Sequence, residues 1–175
     1  MDYYSLRVGQ IVRKLPLIFI TPKVKVASLN LLGDRILVEE LAKDISKILK
    51  GVKFDYFVGP EVKVVPLLHE LSNIFNKERY IVCRKNIHGY MSKPIKSKFQ
   101  PQLIIDGTDA EILKDKKVVI LDDVITSGKT LSVVEDLIKT CGASVSAKIA
   151  VFKQEGPFLI QKDICYLFTL PVFLP

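Results

Sequence analysis

Val-Val-Ile-Leu-Asp-Asp-Val-Ile-Thr-Ser-Gly-Lys-Thr, residues 118–130, carries the reading of the fold. The apolar run Val118–Leu121 has the length and β-branching of a buried central strand, apolar on both faces. It delivers two adjacent carboxylates, Asp122 and Asp123, to a turn. A hydroxyl- and glycine-rich loop follows, Thr126, Ser127, Gly128, Lys129 and Thr130, and a helical pattern begins at Leu131. Carboxylates offer acceptors to a sugar diol. Backbone N–H groups at a helix N-terminus bind phosphate, and nearby hydroxyls add donors. One short segment offering both points to a phosphorylated sugar.

Each half of this segment has a plainer reading. Thr126–Thr130 could be a capping turn that serves its helix and nothing else. Gly128-Lys129-Thr130 also suggests a nucleotide-binding P-loop, but that motif needs a glycine five residues before the Gly-Lys pair, where this chain has Asp123. Asp122 and Asp123 could be metal ligands, an acid/base pair or a diol clamp. Neighbours leaving a strand point to opposite faces, which weighs against a shared proton. A ribose clamp with a Mg²⁺ ion nearby fits better, and Leu121 and Val124 enclose the pair.

Working outward, strands alternate with helices. Leu15–Ile20 and Val24–Ser28 read as strands around a Thr21-Pro22 turn. Asp34 is a plausible N-cap for a helix over Arg35–Leu49, with Ile36, Leu37, Leu41, Ile45 and Ile48 near the helical period and Gly51 as its stop. Tyr56–Gly59 is a short strand and Val64–Phe75 a helix that tolerates Pro66 in its first turn. Tyr80–Cys83, Leu103–Ile105 and Lys117–Leu121 are strands. Leu131–Cys141 is a helix whose inner face is Val133, Val134, Leu137 and Ile138, ended by Gly142, and Val145–Phe152 is the next strand. The basic stretch Arg84–Gln100 shows little periodicity and reads as a long, mobile loop. Such alternation predicts an α/β fold, a mostly parallel central sheet flanked by helices. Ligands in such sheets sit at the carboxyl ends of strands. The loops 59–64, 84–100 and 122–130 leave those ends, and all three carry charged or phosphate-suited residues.

Composition sets the outer bounds. The chain has 175 residues, 49% of them hydrophobic, enough for one domain with a real core. Lys and Arg total 26 against 19 Asp and Glu, a net charge of +7. That excess suits a polyanionic ligand or simply Lys-rich helix faces. The basic residues are scattered and Trp is absent, so nucleic acid is not favoured as a partner. Cys83, Cys141 and Cys165 have no metal-ligand spacing and read as reduced packing residues of a cytoplasmic protein. No signal peptide is evident, and Leu15–Leu32 is too interrupted by Pro and Lys to span a membrane.

The 118–130 segment resembles the phosphoribosyl pyrophosphate (PRPP) motif of type I phosphoribosyltransferases. Arg7–Asp34, Val58–Leu71, Arg79–Lys85, Asp106–Ala110 and Leu170–Phe173 are similar to the adenine (purine) phosphoribosyltransferase-like branch. The resemblance implies a reaction in which a purine base, adenine favoured, and PRPP give a nucleoside monophosphate and pyrophosphate, with Mg²⁺ as cofactor. It implies that Asp122 and Asp123 hold the ribose hydroxyls and the metal, through water or PRPP, and that Thr126–Thr130 hold the 5-phosphate. It places Glu61, Val62 and Lys63 at the pyrophosphate loop, often built on a cis peptide, with Arg84 and Lys85 facing the PRPP charges and Lys85 counted with Asp122 and Asp123 as catalytic. Asn86–Gln100 would close over the site. A homodimer is usual for the family. Lys129 stands where many members have glycine, and Val62 and Val64 where small residues are common.

The expected domain is single, residues 1–175, with a small hood from about 1–30 and 153–175 that selects the base. Phe152, Gln154, Glu155 and residues near Leu15–Phe19 are its candidate lining, with His88 or Glu155 available to tune the base. Hypoxanthine, guanine and xanthine remain open as bases. The alternative of another class is a PRPP- or nucleotide-sensing regulator with this fold and no turnover.

Overall fold

A computed structural model describes residues 2–156 and 162–174. The chain opens with an antiparallel meander: β1 (Tyr3–Val8), β2 (Ile11–Thr21) and β3 (Val24–Ala27). β1 was not anticipated, although its signal is present in the alternation that turns Leu6 and Val8 into the core. β2 starts four residues before the expected Leu15. Helix α1 (Arg35–Ile48) follows, then β4 (Tyr56–Pro60), α2 (Val65–Ile74) and β5 (Tyr80–Cys83), close to their expected bounds.

The 84–105 region departs from expectation. β6 (Ile95–Lys96) lies inside the supposed loop and pairs antiparallel with β7 (Ile104–Ile105), which therefore stands apart from the main sheet. Arg84 and Ile104 exchange both backbone hydrogen bonds, at 2.7 and 2.8 Å. The loop is thus stitched down at both ends. A further unanticipated helix, α3 (Gly107–Leu113), is capped by Asp106, whose carboxylate accepts from Thr108 N–H, and buries Ala110 and Leu113.

The chain then runs through β8 (Lys117–Ile125), α4 (Lys129–Thr140), β9 (Ser144–Gln154), β10 (Ile164–Leu170) and β11 (Val172–Phe173). The main sheet has the order β10-β9-β8-β4-β5 and every neighbouring pair is parallel. The second sheet has the order β1-β2-β3-β11. Ile164–Leu170 is thus an edge of the main sheet, and within the described tail only Val172–Phe173 joins the N-terminal strands. Residues 157–161 and 175 of the segment expected in the hood lie outside the described residues.

Alternation along β8 divides the interior in two. Val119 and Leu121 face the hood sheet, α1 and α2, whereas Val118 and Ile120 face α3 and α4. The main sheet is therefore covered on both sides, as its apolar runs require. Cys83 and Cys141 are buried packing residues, as expected, but Cys165 is exposed on the edge strand.

Asp34 joins the hood to this scaffold. Its carboxylate caps α1 by accepting from Leu37 N–H at 3.2 Å and receives Arg13 from β2 at 2.6 and 2.8 Å. The Arg13 guanidinium beside it holds the Asp34 carboxyl below the ordinary carboxylate range. Loss of the cap and of a partly exposed ion pair should cost about 1–2 kcal/mol in Asp34→Ala, read by denaturant unfolding at neutral pH. Because the folded value is depressed, this contribution is complete above the unfolded value and disappears as pH falls through the folded one. The gap between variant and wild type should narrow on acidification towards the share of the cap, which a protonated carboxyl still supplies, and a gap that does not change with pH contradicts the ion-pair part of the account.

Candidate active site

β8 is paired with β4 only as far as Val58–Ile120, but with β9 as far as Lys153–Ile125. Beyond Ile120 the sheet splits. β4 leads towards β5 on one side, and β8 leads towards β9 and β10 on the other, so the split is the switch point of the sheet. Gly59 allows the strands to approach closely just before they part. A Cβ there would sit 2.7 Å from Leu121 O and 2.9 Å from Val64 Cγ1. Val64, fully buried, fills the room that Gly59 leaves.

A cavity of about 550 Å³ occupies the split. Into it the strand ends bring Glu61, Val62 and Lys63 from β4, Lys85 from β5, and Asp122 and Asp123 from β8, with Thr130 from α4. The Glu61–Val62 peptide is cis, at the position where the family resemblance implied one. An adjoining cavity of about 260 Å³ is formed by Thr126, Ser127, Gly128, Lys129 and Thr130 and reaches Asp122. Gly128 adopts φ 75° at the start of α4, a left-handed value that favours glycine, and a Cβ there would also press on Ile164 Cδ1 at 2.8 Å. Thr126 and Lys129 are exposed at this second cavity.

The two carboxylates differ from expectation in one respect. β8 continues through them to Ile125, so they stand on a strand and not in a turn. Asp122 is 6% exposed and Asp123 is half-buried. Alternation does not isolate them: Asp123 N–H donates to Asp122 Oδ1 at 2.9 Å and the carboxyl groups interact directly. Burial first, then the charge of Asp123 and the hydrogen bond with it, push the Asp122 carboxyl well above the ordinary range, and Lys85 pulls the other way. Among the described residues no cluster of three or more His, Cys, Asp or Glu forms a metal cage.

Other expected residues have different surroundings. Arg84 does not line the cavity. Its Nε pairs with Glu61, its Nη1 donates to Tyr90 Oη at 2.8 Å, and its Nη2 lies 3.0 Å from His88 Nε2. Guanidinium has no acceptor, so His88 Nε2 must be the acceptor in that contact. His88 also stacks on Tyr90, with ring centroids 5.5 Å apart. Glu61 accepts from Lys85 N–H at 2.7 Å as well. Burial would raise the Glu61 carboxyl, but the Lys85 N–H and Arg84 outweigh it and hold it below the ordinary range. Lys63 Nζ donates to Leu29 O at 3.1 Å, across to the segment between hood and α1.

Phe152 and Glu155 do not reach either cavity. Phe152 is fully buried and packs on Phe168, with centroids 5.4 Å apart, so it is a core residue. Glu155 is exposed beyond the end of β9, where its N–H donates to Leu170 O. Gln154 is spent on Leu170 O and Pro171 O. In their place the structure brings Pro60, Val124 and the segment Pro101–Leu103 to the main cavity. The boundary of the expected loop at Gln100 hid that segment, although its Pro-Gln-Leu run marks a turn feeding a strand.

The phosphoribosyl transferase domain family matches residues 32–171. An adenine phosphoribosyltransferase of Corynebacterium diphtheriae is 48% identical over 44 residues, 25% of this chain and 24% of that protein. A hypoxanthine/guanine phosphoribosyltransferase of a Methanocaldococcus species is 30% identical over 138 residues, 74% of this chain and 66% of that one. The chain thus spans a quarter and just under two thirds of these relatives' lengths. In structure, the adenine phosphoribosyltransferase of Thermoanaerobacter pseudethanolicus has a TM-score of 0.66 at 20% identity, covering 96% of this chain and 95% of that one. This chain belongs to the phosphoribosyl transferase domain family. It has the type I fold, the parallel sheet with its hood.

Asp122→Asn keeps the acceptor for Asp123 N–H and removes a charge held in a buried place. In the wild type the unfolded chain loses this proton before the folded one, so stability falls as pH rises from the unfolded value, about 4, towards the raised folded one. The variant should therefore unfold at higher denaturant than wild type at neutral pH and lose that advantage in acid. A variant less stable than wild type at neutral pH contradicts this electrostatic picture.

Proposed function

We propose that the chain is a purine phosphoribosyltransferase, which joins a purine base to PRPP and releases pyrophosphate. The carrying observation is the adjacency of the two cavities: the Asp122–Asp123 pair lies between a phosphate-suited helix start and a pocket supplied with Lys63 and Lys85. In this reading Thr126–Thr130 hold the 5-phosphate on backbone N–H groups and hydroxyls, with Lys129 adding a cation at the rim. Asp122 and Asp123 accept hydrogen bonds from the ribose hydroxyls. Lys63 and Lys85 face the pyrophosphate arm.

The chemistry asks little covalent work of the protein. As pyrophosphate leaves C1, positive charge grows on the sugar and negative charge on the leaving group. Fixed cations at the leaving oxygens favour that separation. Water must be kept from the sugar cation, a task for the 97–103 segment over the cavity. Mg²⁺ belongs to the proposal, and when bound it would neutralise phosphate charge. Asp122 and Asp123, hard oxygen donors, are the residues that would hold it. Arg84 acts through Glu61, fixing the loop that carries Lys63. Adenine is the first base to try, and the relatives named for hypoxanthine and guanine make those the next.

Pyrophosphate release with PRPP, Mg²⁺ and each purine in turn tests this proposal. Turnover is expected with at least one base. Asp123→Asn should lower kcat/KM for PRPP about 5- to 150-fold, equivalent to ~1–3 kcal/mol for a lost charge-assisted hydrogen bond. Tight PRPP binding with no turnover on any purine would favour a ligand-sensing role instead.

A further inference from the structure

The segment over the main cavity is anchored by its own hydrogen bonds. β6 pairs with β7, Ser97 N–H donates to Leu103 O at 2.8 Å, and Leu103 N–H donates to Ser97 Oγ at 2.9 Å. The Gln100 side chain accepts from Gln102 N–H at 3.0 Å. The outcome is a short hairpin arm. Its tip, Pro101–Leu103, lines the cavity that also holds Lys63, Lys85, Asp122 and Asp123.

The polar side chains of that cavity mostly have partners or a charge that defines their use. Glu61 is held by Arg84 and Lys85 N–H, and Lys63 reaches Leu29 O. The lysines suit a polyphosphate, the aspartates a diol, and Thr130 belongs to the phosphate cradle. Gln102 differs from all of these. It is exposed, uncharged, and its carboxamide has no hydrogen-bond partner among the described residues. It carries two N–H donors and an acceptor oxygen side by side. Phe152 and Glu155, the expected base contacts, do not line this cavity, and among the side chains that do, Gln102 is the carboxamide.

We propose that Gln102 is the specificity-determining residue for the base, pairing its carboxamide with the donor and acceptor positions on the purine edge. A planar amide matches such an edge bidentately, as Asn and Gln do with adenine in nucleic acids. A pyrophosphate arm wants cations, which an amide does not supply. This assignment rests on the phosphoribosyltransferase reading and adds to it the group that recognises the base. It also explains the arm: a base reader must be held in place by its own hydrogen bonds to discriminate.

The test separates base from PRPP. Gln102→Ala should reduce kcat/KM for the base about 10- to 100-fold, the loss expected of an unpaired polar edge in a site. The PRPP dissociation constant, measured by calorimetry with Mg²⁺, should stay unchanged. Gln102→Glu keeps the length and removes the donors, so the ratio of kcat/KM between adenine and hypoxanthine should shift. An unchanged kcat/KM for the base in both variants overturns the assignment, as does a loss that falls on PRPP affinity. A wild-type protein that turns over no purine overturns both this assignment and the reading beneath it. An active wild type matched by Gln102→Ala overturns the role of Gln102 alone.

Discussion

Everything about this site depends on where β4 and β8 stop pairing. Up to Val58 and Ile120 they are neighbours in a parallel ladder, and one residue later β8 has only β9 beside it. Backbone that no longer bonds to a neighbour must find other partners, and here it surrounds a cavity. The break places consecutive carboxylates, Asp122 and Asp123, on a rigid strand and not on a loop. A site built on a strand holds its groups more exactly than one built on a loop. Burying two adjacent carboxylates there has a cost, visible in the raised proton affinity of Asp122.

Charge in the crevice is arranged so that few groups are left uncompensated. Glu61 would be an unwelcome anion beside a polyphosphate, but Arg84 and the Lys85 N–H absorb it. That leaves Lys63 and Lys85 as the cationic residues lining the cavity, Lys63 with its Nζ on Leu29 O, and it gives Arg84 a positioning role. The same contact draws in His88 and Tyr90, so the loop after β5 and the loop after β4 are one hydrogen-bonded unit. The hood is fastened separately, by Arg13 on Asp34 and by Lys63 on Leu29 O.

Much of this was legible in the sequence. The alternation of strand and helix gave the parallel sheet, Asp34 the start of α1, and residues 118–130 the strand, carboxylates and phosphate-suited turn. Local spacing sufficed because those groups lie within one segment. What it could not show depends on partners distant in sequence. Arg84 next to Lys85 looks like a second substrate cation until Glu61, 23 residues earlier, is seen to take it. Phe152 looks like a strand-end aromatic near a ligand until β10 packs Phe168 against it. The 95–105 hairpin was missed because β6 and β7 have two residues each, too few to show a period.

The most direct measurement is a crystal structure of the protein soaked with PRPP and Mg²⁺. The account predicts the 5-phosphate on the backbone of residues 126–130, the ribose hydroxyls on Asp122 and Asp123, and the pyrophosphate arm beside Lys63 and Lys85. A phosphoribosyl group bound elsewhere, or ribose hydroxyls that contact neither aspartate, would contradict it.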